Sequence, residues 1–234
     1  MRAEHCLAVP PRLSFRTHEL PEDALEGLAL IDLLAGREDV SSWVHEGRGL
    51  IGLGRALVIE AHGADRIEAL RAAWRAVIGE AWWRDALVRP GTGPVALGAI
   101  TFSPASQQSS VLVVPEVLIG LDDSSAWLTT VAPQADDEAE PEHPDPGSLL
   151  KALVADARAA VDREQTGTDR DSGDCGDTTA VEAGALSEQQ WCRAICATQE
   201  RMRAGQARKV VLARDVLAYP GGPLATGTVL RRLA

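Results

Sequence analysis

Two lysines stand among the chain's 23 basic residues, Lys151 and Lys209, and the other 21 are arginines. Arginine stays protonated inside proteins and cannot take up a proton, whereas a lysine amine can. In a chain that uses arginine wherever positive charge suffices, a retained lysine marks a position where proton transfer could matter. Lys209 opens the apolar run Lys209-Val-Val-Leu-Ala-Arg214. On an ideal strand, Lys209, Val211 and Ala213 share one face and Val210, Leu212 and Arg214 the other. Desolvation among small apolar neighbours would lower the amine's pKa toward that of a general base. The competing reading is a strand-end lysine whose stem is covered while its amine reaches water. Spacing alone leaves both open.

Other chemistry-bearing patterns are weaker. Gly47-x-Gly49-x-x-Gly52 matches a dinucleotide fingerprint as a string, but that mechanism needs a helix to open at the third glycine. Here the glycines run into Leu57-Val-Ile-Glu60, so a hairpin or bulge is the expected structure. Cys192 and Cys196 lie four apart on one helical face. His5, His18, His45, His62 and His143 offer no ligand pair to join them, so they read as buried helix residues with no metal. Cys6, Cys175 and this pair form no disulfide framework and fit free thiols in a reducing cytoplasm. Asp122-Asp123 and Asp136-Asp137-Glu138 read as solvated charge runs. No Gly-x-Ser-x-Gly elbow, phosphate-binding loop or His-Glu-x-x-His is present.

The elements that must position these residues follow from periodicity. Ala24–Leu34 is apolar enough for a short helix or a buried strand. Ser41–His45, Leu50–Gly54 and Arg55–Glu60 read as strands broken by glycines. From Asp65 the period changes: Ile67, Leu70, Ala73, Val77 and Ile78 predict an amphipathic helix over 65–83. Val95–Phe102 and Ser110–Val114 read as strands joined by a polar loop, and Trp127–Val131 as another. Ser148–Arg158 fits a helix. Ser187-Glu-Gln-Gln190 fits a capping box, and Gly205 fits the stop of the helix it opens. Lys209–Arg214 reads as a short strand, Tyr219–Pro223 as a turn and Val229–Ala234 as the start of a helix.

Composition sets the class. The chain has 234 residues, 45% hydrophobic and 24% charged, enough to build a packed core. Its net charge is -11, of which -10 falls within residues 131–186. The acidity thus belongs to one segment, and no basic stripe suggests a nucleic acid as partner. No apolar run approaches the roughly 18 residues of a membrane span, and the N-terminus lacks a secretory signal's apolar stretch, so neither a membrane partner nor secretion is expected. Residues 133–147 and 162–186, rich in Asp, Glu, Gly and Pro, read as solvated linkers.

The helix and following run, Trp191-Cys-Arg-Ala-Ile, Met202-Arg-Ala-Gly205 and Arg208-Lys-Val-Val-Leu-Ala-Arg214, resemble the entry into the chorismate-binding domain of isochorismate synthases. That family also includes salicylate synthases and anthranilate synthase component I. Trp43, Gly47, Gly49–Ala56, the helix with Trp74, Gly98–Pro104 and Val113–Pro115 agree with it. The likeness spans most of 40–131 and 187–217 and departs at Gly98–Phe102, where the family usually has a further aromatic. It implies an α+β fold. The chain would supply the N-terminal layer and first catalytic strand of the anthranilate synthase component I-like fold. It implies chorismate as substrate, Lys209 as the general base that activates water for attack at C2, and a glutamate on a later segment as the acid at the C4 hydroxyl. It also implies magnesium as cofactor, held by glutamates downstream.

Since 25 residues follow Lys209, the expectation is a truncated chain, inactive alone, that lacks the acid and the metal ligands. It divides as an N-terminal α+β region (1–132), an acidic linker with a helix at 148–160 (133–186), and an incomplete start of the catalytic domain (187–234). The activity implied is an isomerase of menaquinone or siderophore biosynthesis in the cytoplasm. The alternatives are salicylate synthase or another chorismate-utilising enzyme and, in a different class, a non-catalytic binding or partner-association fragment.

Overall fold

The computed structural model describes residues 11–134, 141–166, 180–219 and 226–233. The readings placed on Cys6, Cys175, the acidic runs at 135–140 and 167–179, and the turn at 220–223 lie outside the described residues. The fold is α+β, as expected. The chain forms two compact units: Met1–Thr166 together with Ala225–Ala234, and Gly167–Leu224.

The first unit is built on a six-stranded sheet in the order β2-β3-β8-β9-β1-β5. Its strands are β1 (Leu13–Leu20), β2 (Val40–His45), β3 (Arg48–Leu53), β5 (Trp82–Asp85), β8 (Val117–Leu121) and β9 (Ala126–Pro133). A second sheet, β4-β7-β6, comprises β4 (Leu57–Ala61), β6 (Leu97–Ala99) and β7 (Ser110–Val114). Adjacent strands are antiparallel except β1 and β5. Glu46 and Gly47 link β2 to β3 with φ of 52° and 78°. Positive φ at both central positions gives the turn whose twist suits a two-residue hairpin. The glycine string is therefore a hairpin, as its context implied, and strand β3 stands where nucleotide binding would need a helix.

Three expected boundaries shift. The 65–83 helix ends earlier, as α1 (Arg66–Glu80), and Trp82 and Trp83 begin β5. The cause is tertiary: the edge of β1 offers a parallel partner from Ser14↔Trp82 to Thr17↔Asp85. The strand expected at Val95–Phe102 shortens to Leu97–Ala99, because Thr101 turns out of the ladder. Its carbonyl accepts Arg66 Nε and Nη2 at 2.9 and 2.7 Å, and its N–H donates to Ser110 Oγ at 3.1 Å. Ala24–Leu34 resolves into turns and a 3-10 helix, Leu30–Leu34.

Both faces of the large sheet are covered, which explains why β1 and β9 bury residues on both sides. On one face, Leu13 and Phe15 of β1 pack with Leu70 and Val77 of α1 and with Ile59, Ala61 and Val114 of the second sheet. On the other, Leu20, Ile51, Ile119 and Leu128 meet the 3-10 helix and α2 (Pro146–Thr166). The helix expected at 148–160 is thus present and longer, and Leu150, Leu153, Val154 and Ala157 place it inside the core. Just before α2, His143 bridges two sheet hydroxyls, Ser14 Oγ at Nε2 (3.0 Å) and Thr130 Oγ1 at Nδ1 (2.8 Å).

The helix expected near the end of the sequence forms as α4 (Thr226–Leu233) and closes the first unit over the 3-10 helix. Gly227 N–H donates to the Arg37 carbonyl at 3.2 Å, and Arg231 Nε meets Asp32 Oδ1 at 2.9 Å. The approach demands glycine: a Cβ at Gly227 would collide with the Leu34 carbonyl. Gly120 plays a similar part in β8, where a Cβ would strike the Trp127 indole. That indole, 3% exposed, donates to the Gly91 carbonyl at 2.8 Å.

If α2 is core, Leu153→Ala should lower the free energy of unfolding by roughly 2–5 kcal/mol, the range for truncating leucine in a filled core. Lys151→Ala, two residues away and exposed, should stay within about 0.5 kcal/mol. Urea unfolding followed by circular dichroism measures both. Equal small effects would remove α2 from the core.

Candidate functional site

Lys209 lies in the second unit, between α3 (Glu188–Arg203) and β11 (Val216–Tyr219). The strand expected at Lys209–Arg214 is not formed. β11 begins two residues later and pairs with β10 (Ala180–Ala183) in the register Ala180↔Tyr219 to Ala183↔Val216. A strand needs a partner for its backbone, and β10 is used up by 216–219. Asp215 marks the corner. Its carbonyl accepts Gly184 N–H at 3.3 Å and its Oδ1 accepts Ala185 N–H at 3.0 Å. This tether ties the end of the lysine-bearing run to the turn before α3. The sequence reading passed over Asp215, although an aspartate closing an apolar run is a usual bidder for turn N–H groups.

The apolar surroundings expected around Lys209 are also absent. Lys209 is exposed, and Val211 beside it is 81% exposed. Val210, Leu212, Val216, Leu217 and Tyr219 are exposed as well. The amine can therefore be reached by water or substrate.

α3 begins as its sequence foretold. Ser187 Oγ accepts Gln190 N–H at 3.3 Å, and Gln190 Oε1 accepts Ser187 N–H at 2.8 Å. Gly205, at φ 75°, ends it. Trp191, Ala194, Ile195 and Thr198 share a half-buried face. The burial expected for Cys192 and Cys196 is overturned: both are exposed free thiols. The apolar ridge takes the little cover this unit provides, and the cysteines lie off it.

The magnesium implied by the resemblance finds no ligand cluster among the described residues. Among the described residues, no three of His, Cys, Asp and Glu lie together to hold an ion.

The first unit carries an open groove of about 540 Å³ whose lining includes Trp74, Ile78, Trp83, Asp85, Arg89 and Pro90. Its polar groups are engaged. Asp85 accepts Leu87 N–H at 3.0 Å, Val88 N–H at 3.2 Å and the Thr92 hydroxyl at 2.6 Å. Arg89 Nη1 reaches Asp122 Oδ2 at 3.1 Å and Ser125 Oγ at 2.7 Å. The groove offers apolar walls and stacking surfaces. Asp122, read from sequence as a solvated charge, organises the β8–β9 turn. The Ser124 N–H and hydroxyl, then the Ser125 N–H, with Arg89 adding attraction, hold its carboxyl at about 2, below the ordinary 3.8.

The sequence model described as "Chorismate binding enzyme" matches residues 22–234. The chain belongs to the chorismate-binding enzyme family. No curated protein matches it. No helix among the described residues is long and apolar enough to cross a membrane.

Asp122 gives a signed pH dependence. Its carboxyl pKa is lower folded than unfolded, so its contribution is complete above about 4 and is lost as pH falls toward about 2. The unaltered protein should therefore be more stable than Asp122→Asn at pH 5, and the two should converge near pH 2. Urea midpoints at pH 5, 3 and 2 measure this. A constant offset across that range would deny the titration.

Proposed function

We propose that the protein is an isochorismate synthase in which Lys209 is the general base. One observation carries the reading. Within the 22–234 family match, a chain with 21 arginines keeps a lysine at the head of Val210-Val-Leu-Ala-Arg214. The amine is open to water, which a base must meet, although the apolar cover expected around it is not formed. In the reaction, the Lys209 amine takes a proton from water as the water oxygen bonds to C2 of chorismate. The ring double bonds shift, and the C4 hydroxyl leaves with a proton from a separate acid. One water enters and one departs, so the conversion is an isomerisation. Free thiols at Cys192 and Cys196 fit a reducing, cytoplasmic setting.

Lys209→Arg keeps positive charge but removes the capacity to accept a proton. Chorismate turnover, measured on protein expressed from its whole natural reading frame, should fall at least about 10²-fold, with an unchanged melting temperature. Lys151→Arg, on α2, should match the unaltered protein. Near-full turnover by Lys209→Arg would refute the catalytic role. Pyruvate among the products would assign salicylate synthesis instead, with the same base.

A further inference from the structure

Cys192 and Cys196 stand one helical turn apart on α3, and both are exposed and free. Residues at i and i+4 are surface neighbours, with Cβ atoms about 5–6 Å apart. A cysteine side chain has a single χ1 rotation to its sulfur, so bringing the two sulfurs to one ion costs little conformational freedom. Glu188 and Glu200 continue the same ridge one turn beyond each thiol but do not converge with the pair. No disulfide occupies either sulfur.

The donor count decides which ion suits the pair. Zinc asks for four ligands in a structural site. Among the described residues, no three of His, Cys, Asp and Glu converge. Two thiolates with no third donor among the described residues suit a soft, monovalent ion that is satisfied by two sulfurs. Thiolate softness selects copper in its monovalent state from the ions of ordinary protein chemistry. We propose that Cys192 and Cys196 form a two-thiolate site for one Cu(I) ion on the exposed face of α3. Binding is not a redox step. Each thiol gives its proton to solvent as a sulfur–copper bond forms, and the site gains one negative charge overall.

The test titrates Cu(I), anaerobically and with a coloured Cu(I) chelator as competitor, into the reduced full chain and its variants. Cys6→Ser/Cys175→Ser removes the other two thiols, and this variant should still withdraw one equivalent of copper. Adding Cys192→Ser or Cys196→Ser should each weaken binding by at least the roughly 10–100-fold that loss of even an outer-sphere partner costs a metal site. Ultraviolet thiolate-to-copper absorption should disappear with either change. Circular dichroism checks that α3 persists, and serine preserves size and helix compatibility. Copper affinity unmoved by either serine would overturn the site. So would failure of the two-thiol variant to compete with the chelator, or tight four-coordinate zinc at the same pair.

Discussion

The eight-residue ladder between β1 and β9, from Leu13↔Pro133 to Leu20↔Ala126, is the interaction on which the first unit depends. Its strands lie inside the sheet, so each alternate side chain must find cover on one face or the other. Phe15 and Leu13 seek one layer, Leu20 and Leu128 the other. That demand sets the remaining architecture. One layer is supplied by α1 and the second sheet. The other is supplied by the 3-10 helix with α2, a helix that begins inside the acidic stretch. The buried hydroxyls of the ladder are paired: Thr17 and Thr129 share a contact at 2.8 Å, and Ser14 and Thr130 both meet His143.

The second unit follows a different rule. Its ladder has four pairs, and every residue of β10 and β11 is exposed. A two-stranded hairpin is marginal in water without a hydrophobic face to pack, and α3 buries no residue fully. Local devices hold it: the reciprocal Ser187–Gln190 cap and the Asp215 tether. Those devices fix the chain on both sides of Lys209 while leaving the amine open.

Legibility in the sequence followed the reach of the forces involved. Capping at Ser187, termination at Gly205 and the glycine hairpin before β3 are encoded by neighbours, and all could be read. So could α1, because Leu70 and Val77 recur with the helical period. The pairing of Trp82 with Ser14 could not, since it joins residues distant in sequence, and it shortened α1. Likewise β1 went unread: Leu13-Ser-Phe-Arg-Thr-His-Glu-Leu20 mixes polar and apolar residues because both its faces are used. At the candidate site, the identity of Lys209 was legible from composition. Its exposure was not, because a strand was expected on propensity where the partner strand β10 was already taken by Val216–Tyr219. The cysteines misled for a related reason. A thiol is usually interior, yet the ridge of α3 that gains cover is the one bearing Trp191.

The Trp127 indole, held over Gly120 and bonded to the Gly91 carbonyl, gives the molecule an optical gauge. Of the six tryptophans it sits deepest, whereas Trp43 on the edge strand is 71% exposed. An indole shielded from water emits at shorter wavelength than one that solvent dipoles can relax around. Blue-edge emission therefore follows the integrity of the β8–β9 region, and red-edge emission gathers the exposed Trp43, Trp82 and Trp83. The second unit contributes its signal through Trp191. Its local opening would dim or shift a single fluorophore while the blue edge holds steady, so the two units can be watched separately without an attached dye.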